Sequence, residues 1–196
     1  MSAHILKLQA EHANYRKLLD LLEARAQQFS YGDRPEYELM SDIIYYMTQY
    51  PDRFHHPRED IAFGAVLDRD PAAQAVVDVL ASQHVAIARS GATLSADLGA
   101  AATDAMMSRA TIETDVRNYV ALMRGHMDQE EREIFPRLAR HLKESDWFIV
   151  DSAFHFQADP LFGESVQKRF QAIHRQIARQ AGCGCAEAVE PRCCAE

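Results

Sequence analysis

Apolar residues recur along this chain at alternating steps of three and four. Positions 5, 8, 12, 15, 19, 22, 26 and 29 read Ile, Leu, His, Tyr, Leu, Leu, Ala and Phe, a seam that predicts an amphipathic helix over about 3–29. Ser30 to Glu36 reads as a turn, because Gly, Asp and Pro follow in quick succession. A second helix is predicted over about 36–67, running from Tyr37, Met40, Ile44 and Met47 to His55, Glu59, Ala62 and Val66. Pro51 and Pro57 each remove a backbone donor from it, so a kink is expected close to His55. Asp70 and Pro71 supply an N-cap and a first-turn proline for a third helix over about 71–98. Its seam at 77, 80, 84, 87, 91, 94 and 98 reads Val, Leu, His, Ile, Gly, Leu and Leu. The fourth helix covers about 103–143, with Ile, Val, Tyr, Met, His, Glu, Ile and Leu at 112, 116, 119, 123, 126, 130, 134 and 138 and a bend expected at Pro136.

Beyond Lys143 the pattern changes. A mixed segment leads to Asp159-Pro-Leu-Phe-Gly163 and a last amphipathic helix over about 164–180, whose Val166, Phe170, Ile173 and Ile177 can dock on the preceding helices. The final residues have no periodicity. The expected organisation is all-α: a four-helix bundle over 1–143, a C-terminal helical extension packed on it over 144–181, and a flexible cysteine-containing tail over 182–196.

Composition narrows the class of protein. With 47% hydrophobic and 26% charged residues, the 196-residue chain reads as globular and is long enough to bury a real core. The formal charge of -8, with no cluster of Lys and Arg, gives no surface suited to a phosphate backbone, so no nucleic-acid partner is expected. No apolar run approaches the roughly 20 residues of a membrane span, and no leader pattern precedes the first helix. The expected location is cytoplasmic, away from membranes. All four cysteines, Cys183, Cys185, Cys193 and Cys194, lie in the tail and cannot staple the body.

The chemistry lies in the seams. Each of the four helices carries one inward histidine near mid-length, His12, His55, His84 and His126. A single such histidine is ordinarily a hydrogen-bonded core residue, but two of these four have a carboxylate four residues on, Glu59 and Glu130. Buried unpaired carboxylates are costly, and one shared metal centre would satisfy all six groups. A residue at i+4 is rotated about 40° from residue i, one at i+5 about 140°, and one at i+1 about 100°. On an α-helix, therefore, Asp60 and Glu131 are expected to be solvated surface acids and His56 to stand off the site, so replacing Asp60 or Glu131 should change little.

Four imidazoles and two carboxylates are too many donors for one zinc and too rich in nitrogen for calcium or magnesium. Two six-coordinate ions offer twelve positions. Four imidazoles, two bridging carboxylates and a shared oxo or hydroxo oxygen fill them to about one open position per ion, which suits two redox-active non-haem iron ions.

With these motifs the chain resembles a hemerythrin-like protein of the HHE cation-binding family. The residues that carry the resemblance are His12, His55 and Glu59 in "HHPRE", His84 in "QH", and His126 and Glu130 in "HMDQE". It implies an up-down-up-down bundle around a carboxylate-bridged di-iron centre that reacts with oxygen, nitric oxide or peroxide. In one respect the chain departs from the oxygen carriers, which place a second histidine four residues after the first on the third helix; here that position is Ala88. The remaining pattern is similar to members that sense iron or oxygen, or that repair iron–sulfur clusters, although no cysteine-containing domain precedes this bundle.

The reading that follows is a non-haem di-iron protein that binds or senses oxygen or nitric oxide through His12, His55, Glu59, His84, His126 and Glu130. No catalytic residue is assigned. The alternatives are a di-iron enzyme acting on nitric oxide or peroxide, with an unidentified redox partner, and iron storage or delivery in which the tail cysteines pass metal as thiolates. Tyr15, about one turn from His12, is the tyrosine placed to support the site, whereas Tyr45, Tyr46, Tyr50 and Tyr119 read as core packing. His4, His141, His155 and His174 read as structural or surface residues.

Overall fold

The computed structural model describes residues 2–28, 36–102, 108–153 and 157–180, and the described residues contain helices and connections but no strand. The turn expected at 30–36 (apart from Glu36), together with Phe29, His155 and the tail cysteines, lies outside them. Helix α1 spans Ala3–Gln27, and the Ser2 side chain caps it by accepting from the His4 N–H at 3.3 Å. The second predicted helix is divided into α2 (Tyr37–Gln49), a π-helical turn (Pro51–His55) and α3 (His56–Leu67). A 3-10 turn at Pro71–Ala73 leads into α4 (Gln74–Ala102). Asp70 does not cap it with its side chain as expected; that carboxylate instead accepts from Arg137.

The fourth predicted helix is divided likewise, into α5 (Arg109–Gln129), a second π turn (Glu130–Ile134) and α6 (Phe135–His141). Ser108 begins α5 by accepting from the Thr111 N–H at 3.0 Å. Helix α7 (Glu144–Ser152) packs on α3 and buries Trp147 and Val150, while Asp146 holds its first turn by accepting from the Lys143 N–H at 2.7 Å. Helix α8 (Gln171–Gln180) is shorter than the pattern predicts: a 3-10 turn (Lys168–Phe170) precedes it, and ahead of that the Gln167 N–H donates to Pro160 O at 2.9 Å while Asp159 organises a turn. One Asp159 oxygen accepts from the N–H groups of Leu161 and Phe162, each at 2.8 Å, and the other accepts from the Tyr46 hydroxyl at 2.9 Å. Phe170 and Ile173 then anchor α8 in the core against α2 and α1.

The core consists of two apolar clusters with a polar layer between them. One gathers Tyr15 to Ala26 of α1, Leu39 to Met47 of α2, Ile87 to Leu98 of α4 and Ile112 to Met127 of α5. The other gathers Ile5 and Leu8, Ala62 to Val66, Val77 and Leu80, and Ile134 to Leu138. Each chain segment crosses from one cluster to the other, and the order reverses at each successive segment. His12, His55, His84 and His126 all fall where their segments cross. In the first cluster α4 comes close to α2: a Cβ at Gly91 would lie 2.8 Å from Thr48 Cγ2 and 3.3 Å from the Tyr119 ring, so a side chain there would have to displace the Thr48 side chain. No helix among the described residues is long and apolar enough to cross a membrane.

Candidate metal centre

Both π turns stand where the sequence has its histidine–acid motifs, and each lies just ahead of a proline, Pro57 or Pro136. A proline ring collides with the carbonyl four residues earlier and donates no hydrogen bond, so an unbroken α-ladder cannot pass it. The chain adopts i→i+5 bonding instead: the His56 N–H donates to Pro51 O and the Phe135 N–H donates to Glu130 O. The kinks expected at the prolines thus take the form of a change in helical register. That change alters which side chains face inward.

The polar layer contains His12, His55, His56, Glu59, His84, His126 and Glu130, all of them buried, with both glutamates at 0% exposure. On one side His12 Nε2 and His55 Nε2 lie 3.1 Å apart. Two nitrogen donors at right angles on a single ion, each bonded at about 2.1 Å, would be separated by about 3 Å. Glu59 Oε1 stands 3.2 Å from His55 Nε2 and 3.7 Å from His12 Nε2, and Glu130 Oε2 stands 3.4 Å from His12 Nε2. On the other side Glu130 Oε1 lies 3.2 Å from His126 Nε2 and 3.6 Å from His84 Nε2, while Glu59 Oε2 lies 3.8 Å from His84 Nε2. Both carboxylates therefore present one oxygen to each pair of histidines. The structure brings all six sequence-derived residues together in one layer.

Donor atoms of His12, His55 and Glu59 form one group with mutual distances within 4.8 Å, and those of His56, Glu59, His84 and His126 form another. Glu59 belongs to both. The two oxygens of Glu59, the two of Glu130, and Nε2 of both His84 and His126 are buried without any hydrogen-bond partner. So many unsatisfied polar atoms converging on one place are costly to an empty protein and suited to a cation, which would accept all these lone pairs at once. The residues present fit a metal.

Outside the layer, every one of the four expected histidines is held at Nδ1. His12 contacts Glu131 at 2.9 Å, His55 contacts Glu11 at 2.6 Å, His84 contacts Asp60 at 2.8 Å and His126 contacts the Gln83 amide oxygen at 2.8 Å. Such an acceptor fixes the proton on Nδ1 and leaves Nε2 free to face an ion. Arg16 and Arg58 in turn hold Glu131 and Glu11, at 2.8 Å and 2.6 Å. Asp60 and Glu131 are accordingly not the idle surface acids that α-helical spacing predicts. Each reaches back to a histidine of a neighbouring segment.

The electrostatics follow from burial and these partners. Burial opposes a charge on His12, but the hydrogen bond to Glu131 and the Glu59 and Glu130 carboxylates outweigh it and raise His12 to about 9. His84 is likewise raised to about 10, against burial, by Asp60 and by the two glutamates. Hydrogen bonding to His12 lowers Glu131 to about 2, burial opposing and Arg16 assisting. Glu59 is held well below the usual carboxylate range, because His55 and His12 overcome its burial. Without an ion, then, protonated His12 and His84 face the Glu59 carboxylate; an arriving cation takes over that task and displaces the protons.

His56 departs from expectation most. Only 3% exposed, it stacks on the His84 ring with centroids 4.5 Å apart and meets the His126 ring edge-on at 5.5 Å. The signal in the sequence is the adjacent pair itself, since two neighbouring side chains about 100° apart can both border a layer enclosed by four segments. Ala88 is exposed, so α4 supplies His84 alone. Tyr15 packs its ring against His55 at 5.1 Å, and its buried hydroxyl, like that of Tyr119, has no hydrogen-bond partner. His4 stacks on Trp147 at 4.7 Å, remote from the layer.

A helical scaffold that buries convergent histidines and glutamates with free donor atoms defines a cation-binding protein. Residues 4–138 match the family model of the hemerythrin HHE cation binding domain, and the chain belongs to that family. No curated protein and no solved structure gives a significant match.

Proposed function

We propose that the polar layer holds two iron ions and that the protein binds or senses oxygen or nitric oxide through them. In this reading His12 and His55 hold one ion, His84 and His126 hold the other, and Glu59 and Glu130 bridge the two. The observation that carries the reading is the splitting of both carboxylates, one oxygen to each histidine pair. An iron pair so held supplies reversible electron exchange with a diatomic ligand. The chain's own residues orient the donors and exclude water: Phe135 stacks on His12 at 5.3 Å and Phe63 lies against His84 at 6.2 Å, closing the layer on the side of the second cluster.

The scaffold we propose is an up-down-up-down four-helix bundle over 1–143 with an extension over 144–181 docked on it. Its support is the reversal of cluster order from one segment to the next, together with the burial of Trp147, Phe170 and Ile173.

Metal analysis of freshly purified protein, with absorption spectra in air and after anaerobic reduction, tests the site. About two irons per chain and a charge-transfer band lost on reduction are the expected result. Folded protein that refuses ferrous iron would overturn the reading. Sustained consumption of nitric oxide or peroxide with excess reductant would instead make the protein an enzyme.

A further inference from the structure

The two histidine groups are unequal, and the inequality has a structural cause. His12 and His55 stand alone beside the shared glutamates, whereas His84 and His126 have a third imidazole with them, His56. We infer that His56 is a fifth imidazole donor, directed through Nε2 to the ion that His84 and His126 hold. The inference rests on the two-ion reading above and adds to it a ligand from α3.

Three observations support it. First, a nitrogen of His56 lies with the donor atoms of Glu59, His84 and His126 in a single group within 4.8 Å. Second, His56 Nδ1 faces Asp52 Oδ1 at 3.2 Å, the same arrangement of an outer acceptor behind the ring that the other four histidines show. The contact is not aligned as a hydrogen bond, and both atoms are buried without another partner. A donor ring that still has to turn slightly onto its ion would look like this, since rotation that brings Nε2 inward also aligns Nδ1–H with the acid. Third, the π turn at Pro51–His55 ends directly before His56, and Asp52 is part of that same turn. The register change, the ring and its acceptor form one local unit.

As a core residue without a ligand role, His56 would leave a buried imidazole nitrogen and a buried carboxylate oxygen unsatisfied for no return.

The test uses full-length protein loaded with cobalt(II) and proton NMR. Every bound imidazole whose Nδ1 carries a proton contributes one exchangeable, hyperfine-shifted resonance. Five such resonances are expected from the wild-type protein. In His56→Gln one should vanish, and one of the two ions should be lost to a chelator at a roughly 10- to 100-fold lower concentration. Four resonances from wild-type protein, with both ions bound, would overturn the role of His56 and leave the di-metal reading intact. Wild-type protein that takes up no cobalt would overturn both. Because the wild-type count alone decides, poor folding of the variant would not protect the inference.

Discussion

His12 and Glu131 meet at 2.9 Å, Nδ1 to carboxylate oxygen, across 119 residues of sequence. Glu131 is also held by Arg16, so it joins α1 to the second π turn while it fixes the tautomer of His12. Replacing Glu131 by Gln weakens both tasks without emptying the polar layer. Metal affinity should fall by about 10- to 100-fold, with the far-ultraviolet circular dichroism unchanged. Competition with a chromophoric chelator measures it; affinity equal to wild type would mean that Glu131 is the surface acid its spacing suggests.

Glu59 and Glu130 occupy another rank, since each touches both histidine pairs. Replacing either by Ala should lower the metal content from about two toward one or zero per chain. Asp60→Asn, behind His84, should retain both ions and lose only affinity. Plasma emission analysis after gel filtration separates these outcomes, and equal losses in all the variants would remove the distinction between bridging and supporting acids.

The metal-free protein should respond to pH in a defined direction. His12 and His84 have folded values of about 9 and 10, above the ordinary 6.5, so their protonation stabilises the fold fully below pH 6.5 and that contribution is lost as pH rises to 9 and 10. Glu131, lowered from 4.5 to about 2, contributes above pH 4.5 and loses its contribution as pH falls toward 2. Thermal melts of apo protein should therefore peak between these limits, at about pH 5 to 6. Metal binding has the opposite slope, because the ion displaces the imidazole protons, so affinity should rise with pH above 6.5. Calorimetry in buffers of different ionisation enthalpy would register the released protons; no buffer dependence would mean that the imidazoles are already neutral.

How much was legible in the sequence depends on what sets each residue's direction. The positions of His12, His84 and His126 follow from a 3.6-residue period that the structure keeps, and so the four seams converge as read. Glu130 faces inward because it immediately follows α5, before the π turn can shift the register. His56 faces inward beside His55 although about 100° separates adjacent residues, because the layer is enclosed by four segments and is wide enough for both rings to border it. Asp60 and Glu131 do rotate away from the layer, and Asp60 is exposed as expected, but in each case a neighbouring segment stands there with a histidine needing an acceptor. A single helix's periodicity cannot show that. The turn at Asp159 is fixed by the same kind of long-range choice, a bond from Tyr46 across 113 residues.

That bond provides a way to separate docking of the C-terminal segment from metal binding. The Tyr46 hydroxyl is buried and donates to Asp159, whose other oxygen holds the N–H groups of Leu161 and Phe162. Asp159→Ala would strand a phenol in the core and release two turn donors, a loss of about 1–3 kcal/mol for the buried group. The Tyr46 ring meets Phe162 and Phe170 edge-on, at 5.9 and 5.6 Å, so the damage should centre on the contact of α8 with α2. Hydrogen exchange should quicken in Leu161 to Gln180 and remain slow in α1, α4 and α5. The metal content should not change, since the side-chain hydrogen bond that ties this turn to the helices goes to Tyr46 rather than to a histidine or glutamate of the polar layer. If Asp159→Ala instead lost metal in proportion to its fall in thermal midpoint, the segment beyond Lys143 would be part of the centre's support, and the proposed boundary at 143 would have to be abandoned.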